Sequence, residues 1–291
     1  MGCDNQHESQ NNQAVHDMSD YVTALSLGNR LIEPAIRSAI QGLHLRPGSR
    51  GLDAGCGIGS HTLWLAEAVS PDGHVTGVDI SPELLTHAEE IASKGGLRKQ
   101  VSFQRGDLNK LPFGDDSFDW AWSKDTLWPG PKEMGCPAED PLPLLNELAR
   151  VVKPGGIVAV LFWSSQRLLP GYPLLEARLN ATYAANAPWG EGMKPRLHFL
   201  RTLGWLREAN LAECRAHTFV CDVQAPLDQA TQKALLIMFR MFWGNAAAEV
   251  PPEDWAEFQR LCQPDSPDFI LNTPDYYAFV TYSLFHGKVP E

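Results

Sequence analysis

The strongest constraint on this chain is a repeated alternation of short apolar segments with amphipathic ones between residues 49 and 163. Such an alternation is typical of strands and helices in a sheet that is covered on both faces. Strands are predicted at residues 50–54, 74–80, 101–105, 118–122 and 157–163, and two closing strands at 216–223 and 276–285. The pattern predicts an α/β fold with a doubly wound, mostly parallel, seven-stranded sheet.

The pattern is less regular outside this core. Residues 1–18 are polar, lack the features of a secretory signal, and are predicted to form a flexible tail. Residues 19–291 are predicted to form a single domain, with its core at 45–165 and helical cap insertions at 164–195 and 225–272. One or two helices are expected over 19–40, and a further helix over 196–210.

Charge and cysteine usage narrow the class of protein. The formal net charge of -11 argues against nucleic-acid backbones, which are bound through lysine and arginine. The longest apolar runs fall far short of the ~20 residues that cross a bilayer. The cysteines are scattered, with neither a Cys-x-x-Cys pair nor the spacing of a zinc site. We therefore expect free thiols, no metal site and a cytoplasmic location; the alternative is three cysteines that converge on a soft acceptor such as arsenic. The cysteines are Cys3, Cys56, Cys136, Cys214, Cys221 and Cys262.

A glycine-rich segment lies between the first predicted strand and the helix that begins at Ser60. Gly55, Gly57 and Gly59 lack Cβ atoms and tolerate positive φ, so a ligand can approach the backbone and the helix N-terminus closely. The alternative is a tight turn without a ligand. A glycine loop alone is weak evidence for a ligand site unless other groups are placed to contact the same ligand.

Acidic residues stand at the ends of successive strands. Asp79 ends the second strand, where a carboxylate can accept both hydroxyls of a ribose, and the adjoining Ile80 is a predicted cofactor contact. Asp53 precedes the glycine loop and could attract an amino group, directly or through water. Asp107, followed by Leu108, could accept a hydrogen bond from an adenine amine, or could simply cap its own loop. The set suggests a nucleoside that carries an amino-acid tail.

A nicotinamide-dependent oxidoreductase is the main alternative for such a sheet. The loop spacing is Gly-x-Gly-x-Gly, with Ser60 where a dinucleotide fingerprint has its third glycine. The Asp53 carboxylate would also repel a pyrophosphate. Both observations favour a nucleoside with an amino-acid tail over a nicotinamide dinucleotide.

The order of these motifs resembles that of class I S-adenosylmethionine-dependent methyltransferases. The resemblance spans roughly residues 45–165 and rests on residues 53–59, 78–79, 106–108 with 111–113, 118–119, and 148–156. It implies a Rossmann-like methyltransferase fold and S-adenosylmethionine as cofactor. By that resemblance the glycine loop holds the methionine part, Asp79 the ribose, Asp107 with Leu108 the adenine, and Ser123 lies beside the methyl group.

The exit of the fourth strand, residues 122–128, is similar to family members that methylate small metabolites. Many of these have a histidine after the strand, whereas this chain has Trp128. Methyl transfer is an in-line displacement, so positioning and exclusion of water can supply most of the rate. Asp125 is the candidate proton acceptor for a hydroxyl or carbon acid; the alternative is a surface or capping aspartate.

Aromatic residues are the candidates for recognising the acceptor. Trp128, Trp163 and Tyr172 are predicted to line the substrate pocket, and core packing is the alternative for each. They suggest an apolar or cationic acceptor without choosing between an amine and an aromatic ring. Tyr21 is the candidate residue of a lid over the cofactor, or else packs on the flank of the sheet. A cofactor-binding subunit without catalysis is a further alternative function.

Overall fold

We describe a computed structural model of the chain that covers residues 4–190 and 192–291, with side chains described from Met18 onward. A single sheet of seven strands has the order β3-β2-β1-β4-β5-β7-β6. Its strands are β1 (Arg50–Ala54), β2 (His74–Asp79), β3 (Val101–Arg105), β4 (Phe118–Lys124), β5 (Val152–Arg167), β6 (Ala212–Gln224) and β7 (Tyr277–Lys288). Strands β1 to β5 are parallel, and β7 pairs antiparallel with both β5 and β6. The predicted fold class and strand number are confirmed.

Helices cover both faces of this sheet. They are α1 (Asp4–Gly42), α2 (Ser60–Ala68), α3 (Pro82–Lys94), α4 (Leu142–Val151), α5 (Pro173–Asn180), α6 (Tyr183–Asn186), α7 (Thr202–Glu208), α8 (Gln229–Trp243) and α9 (Pro252–Cys262). One buried cluster joins α1, α2, α5, α8 and α9 to one face, and a second joins α4 and α7 to the other. The cores therefore lie on opposite sides of the sheet, as expected for a doubly wound fold.

Local sequence explains where helices begin and end. The Ser81 side chain accepts a hydrogen bond from the Leu84 backbone N–H at 3.3 Å, and Pro82 occupies the first turn of α3. Serine caps and first-turn prolines both stabilise a helix start. Gly95 then ends the helix as its C-cap residue. Ser81 and Gly95 therefore mark the two ends of α3.

The structure differs from the predicted helices in two places. Helix α1 begins at Asp4, so residues 4–18 of the predicted tail are helical, while residues 1–3 lie outside the described part. These residues contain neither glycine nor proline after Asp4, and extending a helix that is already nucleated costs little. The predicted helix over 196–210 is instead two short 3-10 turns followed by α7.

The strands on the β5 side project beyond the carboxyl edge of the parallel strands. Lys124, the last residue of β4, pairs with Leu161, whereas β5 continues to Arg167. Antiparallel pairing with β7 supports this extension, from Trp163 opposite Tyr282 to Arg167 opposite Phe279. The extension forms a wall beside the edge where ligands bind in open α/β sheets.

Candidate cofactor and acceptor site

The glycine loop has the backbone conformation that only glycine adopts readily. Gly55, Gly57 and Gly59 have φ values of 81°, 53° and 79°. A Cβ on Gly55 would lie 2.3 Å from the Thr126 hydroxyl, and one on Gly59 would lie 2.7 Å from the Ala88 Cβ, so both positions are closed by packing. A Cβ on Gly57 would meet no atom within 4 Å. Gly57 is therefore the point where a ligand could reach the loop backbone.

Asp79 is fixed by the backbone around it. One carboxylate oxygen accepts a hydrogen bond from the Gly57 N–H at 2.9 Å, and the other accepts one from the Ser81 N–H at 3.0 Å. Each oxygen keeps a further lone pair for a ligand hydroxyl. Ile80 is 64% exposed beside it and offers an apolar surface. The structure thus brings the glycine loop, Asp79 and Ile80 together, as the sequence predicts.

Tyr21 lies on the same side of the sheet edge. Partial burial raises the pKa of its phenol, and the nearby Asp79 carboxylate raises that pKa further. The charge effect requires the ring to be close to Asp79, and half of the tyrosine remains exposed. Its placement suits a residue that closes over a ligand held by Asp79.

Asp53 does not occupy the open mouth of the loop. Its side chain is 1% exposed beneath α2, where it accepts a hydrogen bond from the Thr62 hydroxyl at 2.6 Å. Desolvation raises the pKa of this carboxyl to about 7, although Thr62 and Lys124 favour the ionised form. The predicted direct contact with a ligand amino group is not supported by this position.

Asp107 and Leu108 follow β3 at the far end of the same edge. One Asp107 oxygen accepts hydrogen bonds from both the backbone N–H and the side-chain amide of Asn109, at 2.9 and 2.8 Å. These bonds lower the pKa of the Asp107 carboxyl. The exposed aspartate therefore caps its own loop, which was the alternative to adenine binding. Its second oxygen accepts no hydrogen bond from the described residues. The Leu108 side chain is buried in the core, which leaves only its backbone for a ligand.

Ser123 is fully buried, and its hydroxyl donates a hydrogen bond to the Ala54 carbonyl at 2.8 Å. This bond joins the ends of β4 and β1. The hydroxyl is therefore committed to the fold, and only the backbone of Ser123 could adjoin a methyl group.

A cluster of polar groups lies at the end of β4. Of its two charged members, Asp125 was predicted from the sequence and Lys124 was not. Asp125 accepts hydrogen bonds from the Trp163 N–H at 2.7 Å and from the Tyr282 hydroxyl at 3.2 Å. The Lys124 ammonium lies 2.9 Å from the same carboxylate. With two hydrogen bonds and an ion pair on its carboxylate, Asp125 is held as a structural anchor, so its predicted role as a proton acceptor is not supported. No sequence motif marks Lys124, because its ammonium contacts the ring of Tyr282, which lies far away along the chain.

The three predicted pocket aromatics do not converge. Trp163 lies at the Asp125 cluster, and its indole N–H donates to the Gln166 side chain at 2.8 Å. Trp128 packs edge-on against Phe162 and Phe199, in the core on the opposite face of the sheet. Tyr172 precedes α5 in the helical cap. Trp128 and Trp163 thus lie on opposite faces of β5, and only Trp163 contacts the Asp125 cluster.

The alternative of an arsenic-type thiolate site finds no support among the described residues. Within residues 4–190 and 192–291, no three histidine, cysteine or acidic side chains are placed to hold a metal ion. The five cysteines described there are free thiols, and Cys3 lies outside the described residues. Nor does any helix in the described part of the chain combine the length and apolarity needed to span a membrane.

Comparison with known proteins identifies the family. Residues 45–198 match the model of a methyltransferase domain family, which is more than half of the chain. The chain belongs to this methyltransferase domain family, and its predicted resemblance to class I S-adenosylmethionine methyltransferases is confirmed.

Individual proteins are similar to the chain in sequence or in fold. The demethylmenaquinone methyltransferase of Lysinibacillus sphaericus is 39% identical over 128 residues, which make up 44% of this chain and 50% of that protein. The chain spans about half the length of the curated relatives it matches. The YcgJ protein of Bacillus subtilis is 18% identical with a TM-score of 0.53, over 89% of this chain and 99% of that one.

A third similar protein is phosphoethanolamine N-methyltransferase 2 of Haemonchus contortus, solved in complex with S-adenosyl-L-methionine. It is 18% identical with a TM-score of 0.51, over 88% of this chain and 52% of that one. At this identity the likeness concerns the fold alone.

Proposed function

We propose that the protein binds S-adenosylmethionine and transfers its methyl group to a small-molecule acceptor. Membership of the methyltransferase domain family supports this activity. The observation that carries the proposal is the open backbone at Gly57 beside the Asp79 carboxylate, which is anchored by backbone N–H groups and keeps lone pairs free. A nicotinamide-dependent oxidoreductase finds no support among the family and relatives reported above.

The residues present fit this cofactor. Asp79 would hold the ribose hydroxyls, Gly57 would admit the cofactor against the backbone, and Tyr21 would cover it. Asp107 would contribute its second oxygen at the adenine end. When bound, the cofactor supplies an electrophilic methyl group on a sulfonium. The protein then needs chiefly to orient the acceptor and exclude water.

The location and partners of the enzyme are part of the same proposal. The free thiols described above fit a reducing cytoplasm. The formal net charge of -11 supports a small-molecule acceptor rather than a nucleic acid. The curated relative from Lysinibacillus sphaericus, a demethylmenaquinone methyltransferase, is named for such an acceptor.

Calorimetric titration with S-adenosylmethionine tests the proposal through Asp79→Ala. Loss of charge-assisted hydrogen bonds to the ribose should weaken binding by at least about 1.5 kcal/mol, which is roughly tenfold in Kd. Asp72→Ala is the matched control, because Asp72 is an exposed aspartate in the turn before the same strand. Circular dichroism should show that both variants are folded. Equal affinity of Asp79→Ala and wild type would contradict the assignment of this edge to the cofactor.

Methyl transfer itself is tested with a cofactor labelled in its methyl group. Incubation with a cell extract and mass spectrometry should reveal a labelled small molecule that is absent with Asp79→Ala. Cofactor binding without any labelled product would favour the alternative of a binding subunit without catalysis.

A further inference from the structure

Lys124 stands at the carboxyl edge of the sheet. It is the last residue of β4, and its side chain is only 13% exposed. Its ammonium lies 5.1 Å from the centre of the Tyr282 ring on β7. Strand β5 separates β4 from β7, while β4 adjoins β1 directly. The Lys124 charge also acts to lower the pKa of Asp53 on β1 and of His61 on α2, so the ammonium is near both. Lys124 therefore lies between the cofactor half of the edge and the half left for the acceptor.

The surroundings hold this ammonium in one place. Asp125 has a φ of 50°, in the left-handed region that aspartate adopts only at some cost. Its backbone N–H donates to the Leu161 carbonyl at 2.9 Å, while its carboxylate is held by Trp163 and Tyr282. Asp125 and Tyr282 thus act as positioning residues for Lys124.

An ammonium has three N–H donors and no acceptor. The Lys124 ammonium is ion-paired with the Asp125 carboxylate and lies over the face of the Tyr282 ring. Among the described residues, no other oxygen accepts a hydrogen bond from it. We expect an oxygen of the bound ligand to accept a hydrogen bond from a donor that is fixed at the edge of the site.

We propose that Lys124 selects methyl acceptors that carry an ionisable oxygen, such as a phenol or an enol, and binds that oxygen as its anion. This inference rests on the proposed function, because it assigns the acceptor class of the same site. It narrows the predicted class of acceptor, apolar or cationic, to molecules that present an ionisable oxygen.

The number of lone pairs distinguishes oxygen from nitrogen acceptors. A neutral amine has one lone pair, and a hydrogen bond from Lys124 would occupy the electrons that must attack the methyl group. A phenolate or enolate oxygen has three, so it can accept the hydrogen bond and still react. Its conjugated carbon can react as well while the oxygen stays bound.

The proton of the acceptor has a simple route in this arrangement. Asp125 already accepts two hydrogen bonds and is ion-paired with Lys124, so the acceptor hydroxyl gives its proton to water on binding. The adjacent ammonium favours the ionised oxygen that remains. A dedicated base is then unnecessary at this edge, in agreement with the position of Asp125.

Binding of 4-nitrophenol tests the proposal, because its ionised form absorbs visible light. The full-length protein, saturated with S-adenosylhomocysteine, is titrated with this probe between pH 5 and pH 8. Bound probe should ionise at lower pH than free probe, with a preference for the anion of about tenfold or more. Lys124→Met should remove this preference. Lys288→Met should retain it, because Lys288 is likewise paired with a carboxylate but lies at the opposite edge of the sheet.

Wild-type protein provides a second comparison that does not depend on any variant folding. The protein should bind 4-nitrophenol more tightly than 4-nitrobenzylamine, which matches it in ring and nitro group but carries a cation. Absent binding of the phenol, an unshifted ionisation, or preference for the amine would each overturn the inference. Calorimetry with S-adenosylmethionine on the same wild-type sample separates the two proposals. If the cofactor binds and the probe does not shift, only the acceptor class is wrong.

Discussion

At the residue scale, Asp79 and Asp53 lie at the same edge of the sheet but suit different roles, because their surroundings differ. Asp79 is half-buried and receives hydrogen bonds from two backbone N–H groups, which suits a carboxylate that binds a ligand. Asp53 is buried beneath α2 with one hydroxyl donor, so its charged form is costly. Burial of a carboxylate without a full set of partners favours its protonated form.

The raised pKa of Asp53 predicts a pH dependence of stability. Folded Asp53 keeps its proton up to about pH 7, whereas the unfolded residue loses it near pH 4. The folded state therefore binds more protons in this window, and its stability falls as pH rises from about 4 to about 7. Asp53→Asn should remove this slope, which amounts to about 4 kcal/mol over the window.

Urea unfolding of wild type and Asp53→Asn at a series of pH values measures the effect. The difference between the two proteins isolates Asp53, since the buried His61 remains in both. The pKa of His61 is lowered well below its usual value by burial, so it contributes a slope of opposite sign. Parallel stability profiles for the two proteins would show that Asp53 is ionised throughout.

At the element scale, α1 combines two roles along one helix. Tyr21 in its middle lies near Asp79, while the part that follows packs on the sheet through a buried stripe. That stripe consists of Leu31, Ile32, Ala35, Ile36, Ala39 and Ile40. The spacing is that of an amphipathic helix docked by one face. Helix α1 is therefore anchored in the core at its carboxyl end.

Truncation of this stripe should destabilise the whole protein. Ile36 is completely buried, and Ile36→Ala is expected to lower the free energy of unfolding by about 2–5 kcal/mol. Ser38→Ala, on the exposed side of the same turn, is the control and should cost far less. Urea denaturation monitored by circular dichroism gives both values. A loss confined to local fraying of α1, with an unchanged midpoint, would mean that the helix is a separate lid.

At the scale of the whole molecule, the helical cap shares its core with the cofactor-binding half. A single buried cluster contains Leu65 of α2, Trp122 of β4, Met238 of α8 and Phe258 of α9. Residues 225–272 thus have no apolar core of their own. Shared burial of this kind makes the unfolding of one part expose the other.

We therefore expect residues 19–291 to unfold as one domain. Differential scanning calorimetry should show one transition whose calorimetric and van't Hoff enthalpies agree. S-adenosylmethionine should shift that transition upward as a unit, since a ligand that binds only the folded state stabilises all of it. Two resolved transitions, with only one shifted by the cofactor, would place the cap in a separate domain.

Much of this architecture could be predicted because its signals are local. The short strands, the Ser81 and Gly95 boundaries of α3, and the glycine loop each depend on neighbouring residues in the chain. Asp79 could be identified for the same reason, because parallel strands bring their carboxyl ends to one edge whatever lies elsewhere. The extent of α1 was not predictable in this way, because residues 4–18 carry polar side chains without an apolar stripe.

The sequence by itself determined the order of strands and helices, the loop without Cβ atoms, and the carboxylates at strand ends. The tertiary structure alone decided the state of each side chain: Asp53 buried on Thr62, Ser123 bonded to β1, and Asp125 held by a tyrosine 157 residues away. The physical reason is the range of the interactions. Backbone preferences and periodicity act between neighbours, whereas desolvation and hydrogen bonding depend on which distant segments the sheet brings together.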